Sequence, residues 1–234
     1  MKKITYISLL LFALSISLAP YSQLQAQDDE SESPISIGAD LVSRYVWRGT
    51  DLGTSPSIQP YIEVGFGGFA IGALGAYTTN LPGVQEMDLY ANYTYNDLVT
   101  VGITDYFFPD EIGGYNYFDY KNDSSGHIFE AMASFNGLED LPLSAMIGYN
   151  FYGDNSFYIE LGYGFSMFDI FLGAGNGIYT VEDPGQSDKF GIVNIGISAS
   201  KEISITDNYG IPISAALITN PNSKGIHLVF GISF

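Results

Sequence analysis

The chain has no cysteine, only eight lysines and arginines against 26 acidic residues, one tryptophan, and two histidines in 234 residues. Each scarcity excludes something. Without cysteine there is no disulfide framework and no site for lipid attachment at a processed cysteine. With a formal charge of −18 there is no basic footprint for phosphate contacts, so nucleic acid is not a partner. Two histidines with no His-x-x-x-His spacing give no zinc-helix motif, and no metal or other cofactor is expected. No long apolar run occurs after the first thirty residues, so a spanning helix is not expected there.

What is present starts with "MKKITYISLLLFALSISLAPYSQLQAQ". Lys2 and Lys3, a short apolar core from Ile7 to Leu18, and Leu24-Gln25-Ala26 read as a signal peptide over 1–26. Removing it takes away both lysines and moves the charge to −20, leaving Arg44, Arg48, Lys121, Lys189, Lys201 and Lys224. Residues 27–34 form an acidic, polar lead-in. Residues 35–234 are expected to form one domain.

That domain alternates with period two almost throughout. Ile58, Ile62, Val64 and Phe66 share one face, with Gln59, Tyr61 and Glu63 opposite. Met87, Leu89, Ala91, Tyr93 and Tyr95 stand against Glu86, Asp88, Tyr90, Asn92 and Thr94. The stretch from Ile35 through Trp47 is read as one first strand, with Tyr45 and Trp47 on its apolar face. Twelve candidate strands follow in this way, one of which, near Ile170 to Tyr179, is glycine-rich with ambiguous faces. Short connections such as Gly67-Gly68 and Asn96-Asp97 alternate with longer polar ones such as 109–126 and 180–189. Aromatics are 15% of the chain and have no helix to pack against. The fold class expected is all-β: a transmembrane antiparallel up-and-down barrel of about 12 strands, with short periplasmic turns and longer extracellular loops. A soluble sandwich also alternates, but it does not account for the signal peptide and the two unequal rims. The expected location is the bacterial outer membrane, with its lipid as partner.

The run Ser43-Arg44-Tyr45-Val46-Trp47-Arg48-Gly49, within Ser36 to Phe66, resembles the opening of the TorF-like porin family. The resemblance implies a small outer-membrane barrel and a pore, and no reaction.

If the apolar stripe faces lipid, Asp40, Arg44, Glu63, Asp88, Glu130 and Glu160 line the lumen. Two readings stay open: Arg44 knits strands through bidentate pairing, or the surplus carboxylates form a cation-preferring ring. Arg48 is read as a residue of the rim or first loop. Tyr45, Trp47, Tyr77 and Tyr149 at one rim, and Phe135 and Phe165 at the other, are read as aromatic girdles. "GIHLVFGISF" reads as the closing strand, with Phe230, Ile232 and Phe234 an address for the barrel-assembly machinery. Neither His127 nor His227 has a serine two residues away on the same strand face, and Ser124 and Ser125 before His127 lie in a loop with no orienting group, so no catalytic group and no enzyme is expected. The function expected is passive, weakly cation-preferring diffusion of small hydrophilic solutes. The alternative is a non-conducting structural or adhesive barrel with a plugged lumen. Inward Tyr61, Tyr90, Tyr152 and Tyr158 favour filling, and inward glycines favour space.

Overall fold

A computed structural model describes residues 34–80, 83–109, 116–121, 125–138, 140–180, 189–206 and 209–234. The segment read as a signal peptide, nearly all of the acidic lead-in, and parts of the loops at 109–126 and 180–189 lie outside the described residues.

Alternation produces strands because a pleated chain sends successive side chains to opposite faces. The barrel strands are β1 (Ile35–Val42), β4 (Ser57–Phe66), β5 (Phe69–Thr78), β6 (Gln85–Tyr95), β7 (Val99–Phe107), β8 (His127–Phe135), β9 (Leu143–Tyr152), β10 (Phe157–Gly164), β11 (Asp169–Gly175), β12 (Gly191–Thr206), β13 (Tyr209–Asn220) and β14 (Gly225–Ser233). Each pairs antiparallel with the next, and β1 pairs with β14, so the sheet is a closed twelve-stranded barrel. Closure at this seam runs through Asp40↔Ser233, Leu41↔Ile232 and Val42↔Gly231. Phe234 and Ala39 exchange two backbone bonds beyond it, at 3.0 and 3.1 Å.

One rim carries the tight turns. Gly67 and Gly68, with φ of 55° and 84°, make the two-residue turn between β4 and β5. The other rim carries the longer loops. The ambiguous glycine-rich stretch resolves into β11 and a 3-10 turn, Gly177–Tyr179. No helix among the described residues is long and apolar enough to cross a membrane.

Burial is inverted relative to a water-soluble fold. Ile37, Ile62, Ile71, Leu89, Val101, Ile103, Ile147, Leu161, Leu172, Ile197, Leu217 and Leu228 all lie exposed around the outside. Glu86, Asp88, Glu130, Glu160, Asn150 and Asn194 are buried inside. An apolar belt on every strand is what a closed barrel presents to lipid, where an open sheet edge is not tolerated.

One element departs from the sequence reading. The stretch expected as a single first strand breaks after Val42. Beyond Ser43 and Arg44 the chain forms a separate hairpin, β2 (Tyr45–Trp47) and β3 (Thr50–Gly53), which is not part of the barrel wall. Val42 still pairs directly with Ser57, so the wall closes behind the hairpin.

Candidate functional site

The hairpin occupies the lumen. Trp47 pairs with Thr50, and Arg48 and Gly49 between them have φ of 49° and 80°. Two consecutive positive φ values make a type I′ turn, the tight reversal whose twist suits a hairpin. An arginine there is unusual, because L residues other than Asn and Asp pay about 1–2 kcal/mol for left-handed backbone. Strain held at one residue points to a role for its side chain.

Both faces of the hairpin are covered, so β2 is buried at every position instead of alternating. Tyr45 and Trp47 pack with Ala76, Tyr106, Met132, Met146, Tyr158, Tyr179 and Val193. Val46 packs on the other side with Phe171, Ala216, Ile218 and Val229. Gly49 lies against the backbone of Val193 so closely that a Cβ there would collide, and Asn220 donates to its carbonyl at 3.2 Å. Through these residues the hairpin meets the wall on β5 and on each strand from β7 to β14.

Arg48 is the anchor. Its Nη1 donates to Glu130 Oε2 and its Nη2 to Glu130 Oε1, the latter at 2.9 Å. The side chains of this ion pair are 2% and 1% exposed, so neither charge has water to fall back on. The guanidinium also lies 4.6 Å from the ring centres of Trp47 and Tyr158 and 5.4 Å from that of Tyr179. Nη1 donates to the Tyr179 hydroxyl at 2.6 Å, and Tyr106 donates to Glu130 Oε1 at 3.2 Å. Burial pushes the Tyr179 phenol up to about 12, which keeps it a neutral partner. Tyr45 donates to Glu86 at 2.8 Å and ties the start of the hairpin to β6.

Gly148 makes room for this clasp. A Cβ on it would lie 2.5 Å from Glu130 Oε2 and 3.3 Å from Arg48 Nη2. Gly148→Ala is therefore expected to cost the clasp about 1–3 kcal/mol, as overpacked sites do. Trp47 is the single tryptophan. Its emission should shift to the red in this variant as the hairpin loosens, and an unchanged spectrum would refute the effect.

The six residues assigned to the lumen wall are not one ring. Asp40 lies on β1, part-buried, beside Ser233. Glu63 accepts from Tyr90 at 3.0 Å. Asp88 is buried against Glu86. Glu130 is spent on Arg48. Glu160 accepts from Tyr158 and, at 2.7 Å, from Asn194. Arg44 is not the residue that knits the lumen. It pairs with Asp51 at the base of the hairpin, half-exposed, because the chain has already left the wall there. Arg48, read as a rim or loop residue, takes the bidentate role.

Tyr45 and Trp47 are likewise not girdle residues. They are 3% and 7% exposed, inside the barrel, because the strand break at Ser43 turns them inward. Tyr77, Tyr149 and Phe165 are exposed on the outer surface, and Phe135 is part-buried. Phe230 and Phe234 are exposed and Ile232 is part-buried.

The sequence reading missed Glu86, Asp105 and the setting of His127. His127 is 1% exposed, with Nδ1 2.7 Å from Asp105 and Nε2 2.7 Å from the Tyr117 carbonyl. Its ring stacks on Tyr120. Both nitrogens are occupied and neither faces a hydroxyl, so this pair fastens the long loop to the wall and does not resemble an activated nucleophile.

No curated protein matches the sequence. Among solved structures, the KdgM porin is similar at a TM-score of 0.46 and 11% identity, over 85% of this chain and 97% of that one. A family model described as "Bacterial protein of unknown function (Gcw_chp)" matches residues 26–220. The chain belongs to the Gcw_chp family.

Proposed function

We propose that this chain is an outer-membrane porin-like barrel, without catalytic activity, that passes small hydrophilic solutes and is held closed at rest by its lumen hairpin. The observation that carries this is the hairpin itself, which touches strands all round the wall and is fastened by a buried ion pair. The exposed apolar belt supports a membrane setting, and the resemblance of Ser36 to Phe66 to TorF-like porins supports a pore. The inward carboxylates outnumber inward arginines, which supports cation preference. The same hairpin also favours a second reading, a structural barrel that never conducts.

Planar bilayers containing the intact chain separate the two. The porin reading expects a mostly closed baseline with brief, small openings. In a potassium chloride gradient the reversal potential should take the sign of cation selectivity. An anion-selective sign would remove the preference. Silence both in the intact chain and after hairpin removal would establish the structural barrel.

A further inference from the structure

Below the hairpin, on the side of the tight turns, the lumen holds a cavity of about 70 Å³ whose ceiling is Val46, Arg48 and Gly49. A cavity of this size takes a few water-sized groups. Its wall carries Asp40, Glu160, Asn194, Ser198 and Ser214, with the Phe171 ring beside them. Three side chains lining it are more than nine-tenths buried and have a polar atom with no partner: Gln59 Nε2, Asn194 Oδ1 and Ser198 Oγ. A buried polar atom left unpaired costs about 1–3 kcal/mol, so these atoms mark a place where something polar sits.

The chemistry of the wall selects the occupant. Asn194 is held with its amide nitrogen on Glu160 and Tyr158, which leaves its carbonyl oxygen toward the cavity. With Asp40, Glu160 and the two serines this makes a wall rich in acceptors. Among the described residues the only cationic one lining it is Arg48, whose charge is already paired with Glu130. The cavity therefore has two carboxyl groups, further hydrogen-bond acceptors and an aromatic face, the set that suits an ammonium group. We infer that this cavity is a binding site for a small ammonium-bearing solute with a neighbouring hydroxyl. This deepens the reading above by naming the class of solute, and it rests on that reading.

Ethanolamine is the probe, with ethylene glycol as its neutral match and potassium as the bare cation. The full chain, refolded in detergent micelles at constant ionic strength, is titrated by calorimetry. Trp47 emission is followed in parallel, since Val46 and Arg48 on either side of it form the ceiling. Saturable ethanolamine binding is expected, at least tenfold tighter than ethylene glycol or potassium, and weakened at least tenfold in Asp40→Asn and in Glu160→Gln. Asp40 is only part-buried, so its variant keeps the test open if Glu160→Gln does not fold. Equal binding of glycol or potassium, or unchanged affinity in a folded Asp40→Asn, would overturn the site. A chain that conducts without binding ethanolamine refutes the site alone. A chain that binds it and never conducts refutes the channel reading alone.

Discussion

Arg48→Asn should leave the barrel folded and release its hairpin. Asparagine is, after glycine, the residue best suited to left-handed backbone in a two-residue turn, so the reversal at positions 48 and 49 survives and its strain is relieved. What is lost is the guanidinium, and with it both bonds to Glu130 and the contacts to Trp47, Tyr158 and Tyr179. Removing one partner of a buried ion pair typically costs about 3–5 kcal/mol, because the remaining charge is stranded away from water. Glu130 escapes that penalty only if water reaches it, and water reaches it only if the hairpin moves. The variant should therefore show a large rise in open probability and a red-shifted Trp47 emission, with the wall's β-structure intact. Each kcal/mol taken from the closed state is about a fivefold change in the closed-to-open ratio. Arg48→Asn combined with Glu130→Gln removes the stranded charge and should close the lumen again in part. Arg48→Lys should fall between, since a lysine keeps the charge but not the fork or the stacking. If Arg48→Asn records like the parent, the clasp does not hold the hairpin.

The wall of this protein was legible in its sequence because the physics that builds it is local and repeated. Each strand needs an apolar residue at every second position, and Ile58 to Phe66 or Met87 to Tyr95 states that need in nine residues. The short and long connections then order the rims without any tertiary information. The site was less legible, for two reasons. Tyr45 and Trp47 continue the apolar phase of β1, so alternation alone carries the strand past Ser43 and sends both rings to lipid. The contrary signal lay in Tyr45-Val46-Trp47 itself. Three large apolar residues in a row suit a strand covered on both faces, not one half-facing lipid. Arg48-Gly49 after it fits a two-residue reversal. The second reason is that pairing inside a lumen is a property of depth across the barrel. Arg44 and Arg48 are four residues apart and chemically identical, and only the break at Ser43 decides which reaches Glu130. His127 and Asp105 come together on the other face, beneath the long loop, across β7 and β8. Neither residue type nor spacing names that pair.

Replacing residues 43–56 with Asn-Gly should turn the barrel into a steady, strongly cation-selective pore. The barrel tolerates the excision because Val42 and Ser57 are already paired, so two residues in a type I′ turn suffice to join β1 to β4. The wall keeps its ladder between these strands, from Ile35↔Val64 to Val42↔Ser57. What disappears is the packing of Tyr45, Val46 and Trp47 against the wall. A soluble core would collapse on that loss. Here the emptied space opens to water, which hydrates Glu86, Glu130 and the tyrosines that the hairpin had dried. Their desolvation penalty falls at the moment their partners leave. Charge then sets the selectivity. Excision removes Arg44 and Arg48, while Lys121, Lys189, Lys201 and Lys224 are exposed. Among the described residues the inner wall then has Asp40, Glu63, Glu86, Asp88, Glu130 and Glu160 and no arginine or lysine to offset them. A narrow low-dielectric tube lined with carboxylates concentrates cations and repels anions. Conductance should rise at least tenfold over the openings of the intact chain, and the reversal potential should move further toward the cation limit. High salt should weaken that selectivity, because screening shortens the reach of the wall charges to about 3 Å at 1 M. A hairpin-free barrel that is folded but still closed would mean that Tyr106, Tyr158, Tyr179 and their neighbours fill the lumen by themselves.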